Sequence, residues 1–574
     1  MYAAVSLLLL TTCLPSGWMV KQKALDDYVK QHDPHYSYTL KNKEDRPDVT
    51  IYTLNMTSLK WLDDSEVDAT VWWHELIIVV PTNPKMTSAC LLMIGNGRND
   101  DVPQPMDLSV EEAIMTAKSA GFCTAILRQI PNQPVTYHKI SMQKCKNGIE
   151  DYAVFCSWRK FIIDKMAQPD VLIQFPMVKA TVRAMDTITA FLQKESAGKM
   201  NIAKFMLTGG SKRGWTSWLA AAVDERVVSF APIVFDLLNI IKSWHHQYRA
   251  YCGWTFAWRH IHELKITRRL DTPRFKILTS HVDPLAYNER YLNKPKYLII
   301  AAGDEFFPLD DSHYFFNELS GAKYFRATPN NDHLMTRDPS IKVSIAMSVI
   351  SFFLSTILNL KMPQISWKRT ETKAAGVIEL YTDTEPSAVK CFFSNTLDAE
   401  RRDFRLLVAP GPSGVSQPIS WLPCKVEKVK TGVYKAEEEQ PQSGWKAFFI
   451  EATFPGPGTI DFVLSSEVHI IPDTFPCLGC SGKKCKGKVV LHSPRTLWLL
   501  LLKSFMSVNT RGTQKTMQRS QATAATQTAR DEASKGQQMR EHVNSMLEFV
   551  EQLKGNNSAA QPYCCTVLLN HTGP

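Results

Sequence analysis

The eight residues Thr208-Gly209-Gly210-Ser211-Lys212-Arg213-Gly214-Trp215 carry the strongest structural signal in the chain. Residues 202–207 are apolar and predict a buried strand, and residues 215–223 predict a helix. A serine between small residues at such a turn is typical of a nucleophile elbow, in which strained backbone lifts the hydroxyl clear of the sheet. The N-terminus of the next helix favours a developing negative charge. The sequence departs from the usual G-x-S-x-G pattern, because Arg213 stands at the second glycine position and Gly214 follows it.

A glycine turn earlier in the chain is the candidate for the other half of an oxyanion site. Residues 89–94 predict a buried strand, and Gly95, Asn96 and Gly97 follow it at once. In a serine hydrolase, a loop at this place offers one backbone N–H to the oxyanion, and the residue after the nucleophile, here Lys212, offers another. The alternative is a plain turn that ends the strand.

An acid and a base follow Ser211 in the order that a hydrolase triad requires. Residues 296–302 and 323–327 predict strands, and Asp304 and His333 come just after them. A serine hydroxyl needs a neighbouring base, and that base needs a carboxylate to orient it. The sequence therefore predicts Ser211, His333 and Asp304 as catalytic residues. Four other acids compete with Asp304 and rank below it: Asp236, Asp310, Asp311 and Asp332.

The remaining predicted elements complete an α/β-hydrolase-like domain at residues 24–362. Strands are predicted at 49–61, 71–80, 124–130 and 227–235, and helices at 109–120, 151–166, 177–194, 312–319 and 341–360. The sheet is mostly parallel, with antiparallel strands at its start.

Residues 237–293 interrupt the alternation of strands and helices and are rich in aromatic and histidine side chains, which predicts a helical cap over the site. Trp244, His245 and Trp254 are candidate substrate contacts there, although such rings can equally fill the core of the cap. His245 and His246 lack further ligands at a recognisable spacing, so we predict no metal site and no cofactor.

A second domain is expected at residues 363–475, where short β runs separated by turns predict a small sandwich. Residues 476–574 are expected to form a tail that contains cysteines and a low-complexity stretch, which is predicted to be disordered. Cys477, Cys480 and Cys485 with His492 could bind zinc, but disulfides are favoured. The apolar run at 497–502 is too short to span a membrane.

The N-terminus indicates a secreted protein. Residues 1–17 resemble a signal peptide, although no cation precedes the apolar run. Removing Cys13 with it leaves an even number of cysteines, as expected for disulfides in an oxidising compartment. Asn55, Asn556 and Asn570 begin glycosylation sequons. The net charge of +10 is modest for 574 residues, and no basic block with interleaved aromatics predicts nucleic-acid binding.

Several separated motifs resemble the PhoPQ-activated pathogenicity-related family over about residues 24–475. They are Leu25-Asp26-Asp27-Tyr28-Val29, Gly210-Ser211-Lys212-Arg213-Gly214-Trp215, Ala222-Val223-Asp224-Glu225-Arg226-Val227, Asp283-Pro284-Leu285-Ala286-Tyr287, Gly303-Asp304-Glu305-Phe306-Phe307 and Pro329-Asn330-Asn331-Asp332-His333. The resemblance implies an α/β-hydrolase-like fold, secretion and the same Ser-Asp-His positions. The family includes a secreted autocrine repressor of proliferation from amoebae, and it implies no defined substrate.

The elbow also resembles that of some carbohydrate-ester hydrolases, in which an arginine follows the serine. Lys212 or Arg213 could then bind a substrate carboxylate or support the oxyanion; for Arg213, a structural ion pair is the alternative.

Two functions follow from these patterns. The first is a secreted serine hydrolase of small esters, with a peptidase as a variant of the same chemistry. The second is a secreted signalling protein that binds a cell-surface receptor and uses the fold without turnover, since a fold does not fix a function. No transmembrane span and no nucleic-acid partner are expected.

Overall fold

Nine strands form the central sheet in the computed structural model, which describes residues 23–100, 110–335, 337–409, 414–457 and 460–491. In chain order the strands are β1 (Ser37–Asp45), β2 (Val49–Lys60), β3 (Val71–Pro81), β4 (Met86–Ile94), β5 (Phe122–Leu127), β6 (Lys204–Gly210), β7 (Val227–Ile233), β8 (Lys296–Ala301) and β9 (Lys323–Thr328).

The order of the strands across the sheet is β1-β2-β3-β5-β4-β6-β7-β8-β9. The pairs from β1 to β5 through β2 and β3 are antiparallel, and every pair from β5 to β9 is parallel. The carboxyl ends of the parallel strands therefore lie at one edge, where the loops after β4, β6, β8 and β9 meet. This arrangement confirms the predicted α/β-hydrolase fold.

Helices cover both faces of this sheet. They are α1 (Ala24–Lys30), α2 (Val110–Ala120), α3 (Asp151–Ile163), α4 (Gln174–Glu195), α5 (Lys212–Val223), α6 (Ile240–Tyr251), α7 (Arg259–Glu263), α8 (Pro273–Val282) and α9 (Pro339–Ile357). Alternate residues of β4 divide between the two cores: Cys90 and Leu92 share a core with α4 and α5, and Leu91 shares one with α9.

The last of these helices has the length and composition of a membrane span. Within α9, residues Ser340–Ile357 have a mean hydropathy of 1.7, and 44% of that window is buried. The helix packs against β7 and α2, and the core helix of a soluble protein passes the same test of length and hydropathy.

Two antiparallel sheets follow between residues 365 and 471. Their strands are β10 (Ile365–Glu371), β11 (Ala375–Thr382), β12 (Ala388–Asn395), β13 (Leu422–Cys424), β14 (Val426–Lys430), β15 (Val433–Glu439), β16 (Lys446–Phe454), β17 (Phe462–Ser465) and β18 (His469–Ile471). One sheet has the order β10-β11-β15-β14 and the other β13-β12-β16-β17, with β18 also paired to β16. The core between the two sheets is filled by Ile378, Tyr434, Phe448 and Ile450.

Two predicted elements differ from the structure. The strand expected to reach residue 130 ends at Leu127, because Gln129 has a positive φ of 60° and the N–H of Ile130 donates to Gly95 O. The helix expected at 312–319 is instead two short 3₁₀ turns. Ser312 there donates to Glu467 and His313 contacts the carbonyl of Val468, so contacts with the segment between β17 and β18 override the helical periodicity.

Candidate active site

Ser211 lies at a sharp turn between β6 and α5. Its φ of 54° and ψ of −122° are strained for a residue with a side chain. A Cβ on Gly209 would lie 2.8 Å from the Cβ of Arg213, and a Cβ on Gly214 would lie 3.0 Å from the carbonyl oxygen of Gly209. The spacing G-x-S-x-x-G therefore fits this turn, because Gly214 provides the close approach that the usual pattern assigns one place earlier.

The loops after β8 and β9 bring an acid and a base to this serine. His333 Nε2 lies 2.8 Å from Ser211 Oγ, and His333 Nδ1 lies 2.8 Å from Asp304 Oδ2. A carboxylate only accepts, so Nδ1 carries the proton and Nε2 is left to accept from the serine hydroxyl. The three side chains are buried, with 7%, 3% and 5% of Ser211, His333 and Asp304 exposed.

Backbone groups hold the second oxygen of Asp304. Its Oδ1 accepts the N–H groups of Phe306 and Phe307 at 2.7 and 3.2 Å. The rings of these two residues then lie 4.3 and 5.7 Å from the ring of His333. The segment after β8 thus orients the acid and packs against the base at the same time.

The four competing acids have other surroundings. Asp310 and Asp311 contact the two nitrogens of buried His246 at 3.3 and 2.7 Å, and Asp332 accepts from Arg337 at 2.7 Å. Burial and the neighbouring Asp311 and Asp304 raise the pKa of Asp236 well above its ordinary value.

A second carboxyl group lies beside the base. Glu305 Oε2 accepts the backbone N–H of His333 at 3.1 Å. Burial and the charge on Asp304 raise the pKa of Glu305 to about 7. Burial alone would lower the pKa of His333, but the Asp304 carboxylate and then Glu305 outweigh it, so the pKa of His333 lies above its ordinary value.

The predicted oxyanion loop is fixed by three backbone hydrogen bonds. Gly95 donates to Leu127 O at 2.8 Å and accepts from Ile130, and Asn96 O accepts from Gln129 at 3.0 Å. The N–H of Gly95 is therefore engaged within the sheet. Asn96 and Gly97 stay as predicted donors together with Lys212, which starts α5, where the first N–H groups have no partner within the helix.

Arg213 takes part in an ion pair below the elbow. Its two terminal nitrogens donate to Glu150 at 3.0 and 2.7 Å, its Nε donates to Ile130 O at 2.5 Å, and only 4% of the residue is exposed. Gln133 joins the same network, since its amide donates to both Glu150 and the carbonyl of Gly97. The guanidinium of Arg213, predicted as a substrate contact, is thus paired with Glu150. A structural ion pair of this kind is the alternative that the sequence left open.

An apolar pocket with a volume of about 30 Å³ adjoins Ser211. Its polar lining is Ser211 itself, the pair of Lys212 and Asp151, which are 2.7 Å apart, and His260, whose pKa burial lowers to about 4. The aromatic walls are Phe155, Trp215, Phe235, Trp258, Phe306 and Phe307.

The three cap residues predicted to contact substrate are not in the lining of this pocket. Trp244 and Trp254 are fully buried behind Trp258, with ring centroids 4.9 and 6.0 Å from it. His245 lies elsewhere in the cap, 2.8 Å from Asp271. Sequence reasoning missed the pocket role of Trp258, although it belongs to the same aromatic run.

Residues between β12 and β13 hold both loops of the site. Leu406 donates its N–H to Gly303 O at 2.9 Å, and a Cβ on Gly303 would clash with the Leu406 side chain. Asn330 receives the N–H of Trp421 and donates to its carbonyl, at 2.8 and 2.9 Å. The acid loop and the base loop are therefore both tied to the segment at 402–421.

The cysteines form four disulfides among the described residues: Cys145–Cys156, Cys252–Cys477, Cys391–Cys424 and Cys480–Cys485. Cys90 and Cys123 are free and buried. In the part of the chain that the structure describes, one group of possible metal ligands comes together, namely His245, Cys480 and Cys485. Both of its thiols are in a disulfide, so the group does not fit a metal.

Several sequence predictions lie outside the described residues. These are the signal peptide, His492, the apolar run at 497–502, the low-complexity stretch expected to be disordered, and the sequons at Asn556 and Asn570. Asn55, in contrast, is exposed on β2.

The fold is similar to that of solved esterase structures. These include an acetyl xylan esterase from Paenibacillus sp. R4, at 14% identity and a TM-score of 0.38 over 57% of this chain and 92% of that one. They also include a glucuronoyl esterase from Solibacter usitatus, at 14% identity and a TM-score of 0.33 over 55% of this chain and 86% of that one.

The matches in sequence cover more of the chain. The family described as PhoPQ-activated pathogenicity-related protein matches residues 25–405. Autocrine proliferation repressor protein A of Dictyostelium discoideum is 34% identical over 480 residues, which are 81% of this chain and 93% of that protein.

Proposed function

The chain belongs to the PhoPQ-activated pathogenicity-related family, and we propose that within this family it is a secreted serine hydrolase of carboxylic esters. The single observation that carries the proposal is the continuous hydrogen-bonded chain from Ser211 through His333 to Asp304, with 2.8 Å at each step. A buried serine, histidine and aspartate in this geometry activate the hydroxyl as a nucleophile.

The reaction proceeds in two halves. His333 Nε2 takes the proton of Ser211 as Oγ attacks the acyl carbon, and the backbone N–H of Lys212 donates to the resulting oxyanion. His333 then gives the proton to the departing alcohol, which leaves an acyl group on Ser211. A water molecule, deprotonated by His333, attacks that acyl group, and the acid leaves as Ser211 recovers its proton. Asp304 keeps its charge throughout and stabilises the imidazolium.

The pocket favours substrates with a small apolar group next to the scissile bond. Aromatic rings form most of the surface beside Ser211, and the ion pair of Lys212 with Asp151 leaves neither charge free for a charged substrate group. Burying an apolar acyl group there is worth about 25 cal/mol for each Å² removed from water. Esters are preferred to peptides in this proposal, because resonance stabilises an ester carbonyl less than an amide carbonyl, so the serine attacks it more readily.

Labelling with a fluorophosphonate probe tests the proposal. The folded parent protein is expected to be labelled at Ser211, and Ser211→Ala is expected to lose both labelling and the hydrolysis of p-nitrophenyl esters. Ser217→Ala is the matched control, because Ser217 lies on the same helix and donates to Arg213 O. A folded parent that neither reacts with the probe nor hydrolyses any ester in a chain-length series would contradict the proposal. Peptide profiling separates a peptidase from an esterase.

The second candidate function is signalling without turnover. The name of the relative from Dictyostelium discoideum motivates it, since that protein is called an autocrine proliferation repressor. If the chain acts by binding a receptor, Ser211→Ala will repress proliferation of responsive cells as strongly as the parent. If hydrolysis is the signal, the variant will be inactive in that assay. Secretion itself is tested by the N-terminal sequence of the protein recovered from culture medium, which is expected to begin near residue 18.

A further inference from the structure

Seven exposed cations cluster on the outer side of the cap. Three belong to the segment around the 3₁₀ turn Thr267–Arg269, and four belong to the segment around the 3₁₀ turn Gly482–Lys486. The two turns pack against each other, and Thr267 Oγ1 donates to Lys486 O at 3.5 Å. We call this set the basic face; its members are Lys265, Arg268, Arg269, Lys483, Lys484, Lys486 and Lys488.

The basic face has no acidic complement within the described part of the chain. None of the seven cations takes part in an ion pair there, and the nearby carboxylates are engaged with other groups. Asp271 contacts the ring of His245 and accepts the N–H of Gly482, and Glu263 accepts a hydrogen bond from the hydroxyl of Tyr152. Like charges held close together repel one another and lower the stability of the fold. Binding of a partner of opposite charge would relieve this repulsion.

The backbone under the basic face is fixed. Cys480–Cys485 closes the loop that carries the first two lysines, and Cys252–Cys477 ties its start to the end of α6. Residues Val489–Val490 pair in parallel with Trp254–Thr255. Fixed cations lose little conformational freedom on binding, which favours affinity for an anionic surface.

An exposed apolar side chain accompanies these charges. Leu478, between two disulfide cysteines, is 91% exposed, the largest exposure among the large apolar residues of the described chain.

We infer that the basic face is a docking surface for a membrane that contains anionic lipids. A single apolar signal binds a bilayer weakly, and a polybasic patch supplies the second signal that lasting attachment requires. Each lysine or arginine near an anionic surface adds to the attraction, within about one Debye length. A polysaccharide or a nucleic acid would use the cations but offers no apolar layer for Leu478. The tail of this chain is not the complement, because residues 492–574 hold more lysine and arginine than aspartate and glutamate.

Flotation of the full chain with vesicles tests this inference independently of any hydrolase activity. We expect binding to phosphatidylcholine vesicles that contain phosphatidylserine, weaker binding in high salt, and little binding to phosphatidylcholine alone. Lys483→Gln, Lys484→Gln and Lys486→Gln together are expected to lower the partition coefficient roughly 100-fold, from the contribution of three cations.

The matched control removes three exposed lysines from elsewhere on the described surface, with Lys199→Gln, Lys373→Gln and Lys430→Gln. It has the same net charge as the test variant and is expected to bind nearly as well as the parent. Equal loss in both variants would overturn the docking surface, since net charge alone would then explain it. Binding to heparin without binding to vesicles would also overturn the inference of a lipid partner and would indicate a sulfated polysaccharide instead. If a variant does not fold, the inference still stands or falls with the parent, which must bind the anionic vesicles and release them in high salt.

Discussion

Glu305 places a second ionisable carboxyl group against the backbone of the base. It accepts the N–H of His333, and its charge adds to that of Asp304 in raising the pKa of the imidazole. A neutral imidazole is needed to take the proton of Ser211. The rate is therefore expected to fall as the pH drops through a pKa that lies above that of a free histidine.

Glu305→Gln is expected to move this acidic limb to lower pH. The amide oxygen can still accept the N–H of His333, but it carries no charge, so the pKa of His333 falls and the base stays neutral further into acid. The measurement is kcat/KM for an ester against pH. Asp304→Asn is the contrasting variant, since it should lower the plateau itself by roughly 10⁴-fold. An unchanged limb in Glu305→Gln would show that the carboxyl acts only as a hydrogen-bond acceptor.

Among the elements of the fold, the elbow depends on a residue from a distant loop. Glu150, 63 residues before Arg213, has a φ of 50° and a ψ of −115° and accepts hydrogen bonds from both terminal nitrogens of that arginine. It also accepts from Gln133, which holds the carbonyl of Gly97. One carboxylate thus connects the start of α3, the helix after the nucleophile and the predicted oxyanion loop.

Glu150→Ala is expected to lower the free energy of unfolding by about 3 kcal/mol, because it leaves the buried guanidinium of Arg213 without its counter-charge. The measurement is the midpoint and slope of urea unfolding. Glu225→Ala is the control, because Glu225 is exposed and lies 3.6 Å from Lys294; its effect should stay within about 0.5 kcal/mol. Equal stability of both variants would mean that Arg213 finds other acceptors.

The sequence allows the sheet, the elbow and the three hydrogen-bonded side chains of the site to be predicted, because each follows from local patterns. Apolar runs mark buried strands, and Asp304 and His333 come directly after two of them. The partner of Arg213 could not be predicted, since Glu150 lies in a loop with no local signature. Trp258 could not be told from the similar rings around it, because only packing decides which of them faces the pocket.

Across the molecule, the residues between β12 and β13 are part of the scaffold of the site. The segment at 402–421 contacts the acid loop through Leu406 and the base loop through Trp421. Asn330, which lies in the same loop as His333, has a φ of 53°, a conformation that asparagine and glycine tolerate well. Its side chain is the link to Trp421.

Asn330→Gly is expected to keep the backbone conformation and lose this link. With His333 less firmly placed, kcat should fall by roughly 10- to 100-fold, the loss that small misplacements of reacting groups produce. KM should change little, because Asn330 does not line the pocket. Steady-state kinetics with an ester give both constants. A raised KM with unchanged kcat would instead place Asn330 in substrate contact.

The tie between Asn330 and Trp421 also bears on the timing of biosynthesis. The two residues are 91 positions apart, so at the usual speed of translation the ribosome needs roughly 5–18 s to travel from one to the other. During that interval the nascent chain already contains Ser211, Asp304 and His333. Trp421, which supports the loop of His333 through Asn330, has not yet been added. A growing polypeptide is therefore expected to hydrolyse esters only at the reduced rate predicted for Asn330→Gly until most of its length has been translated.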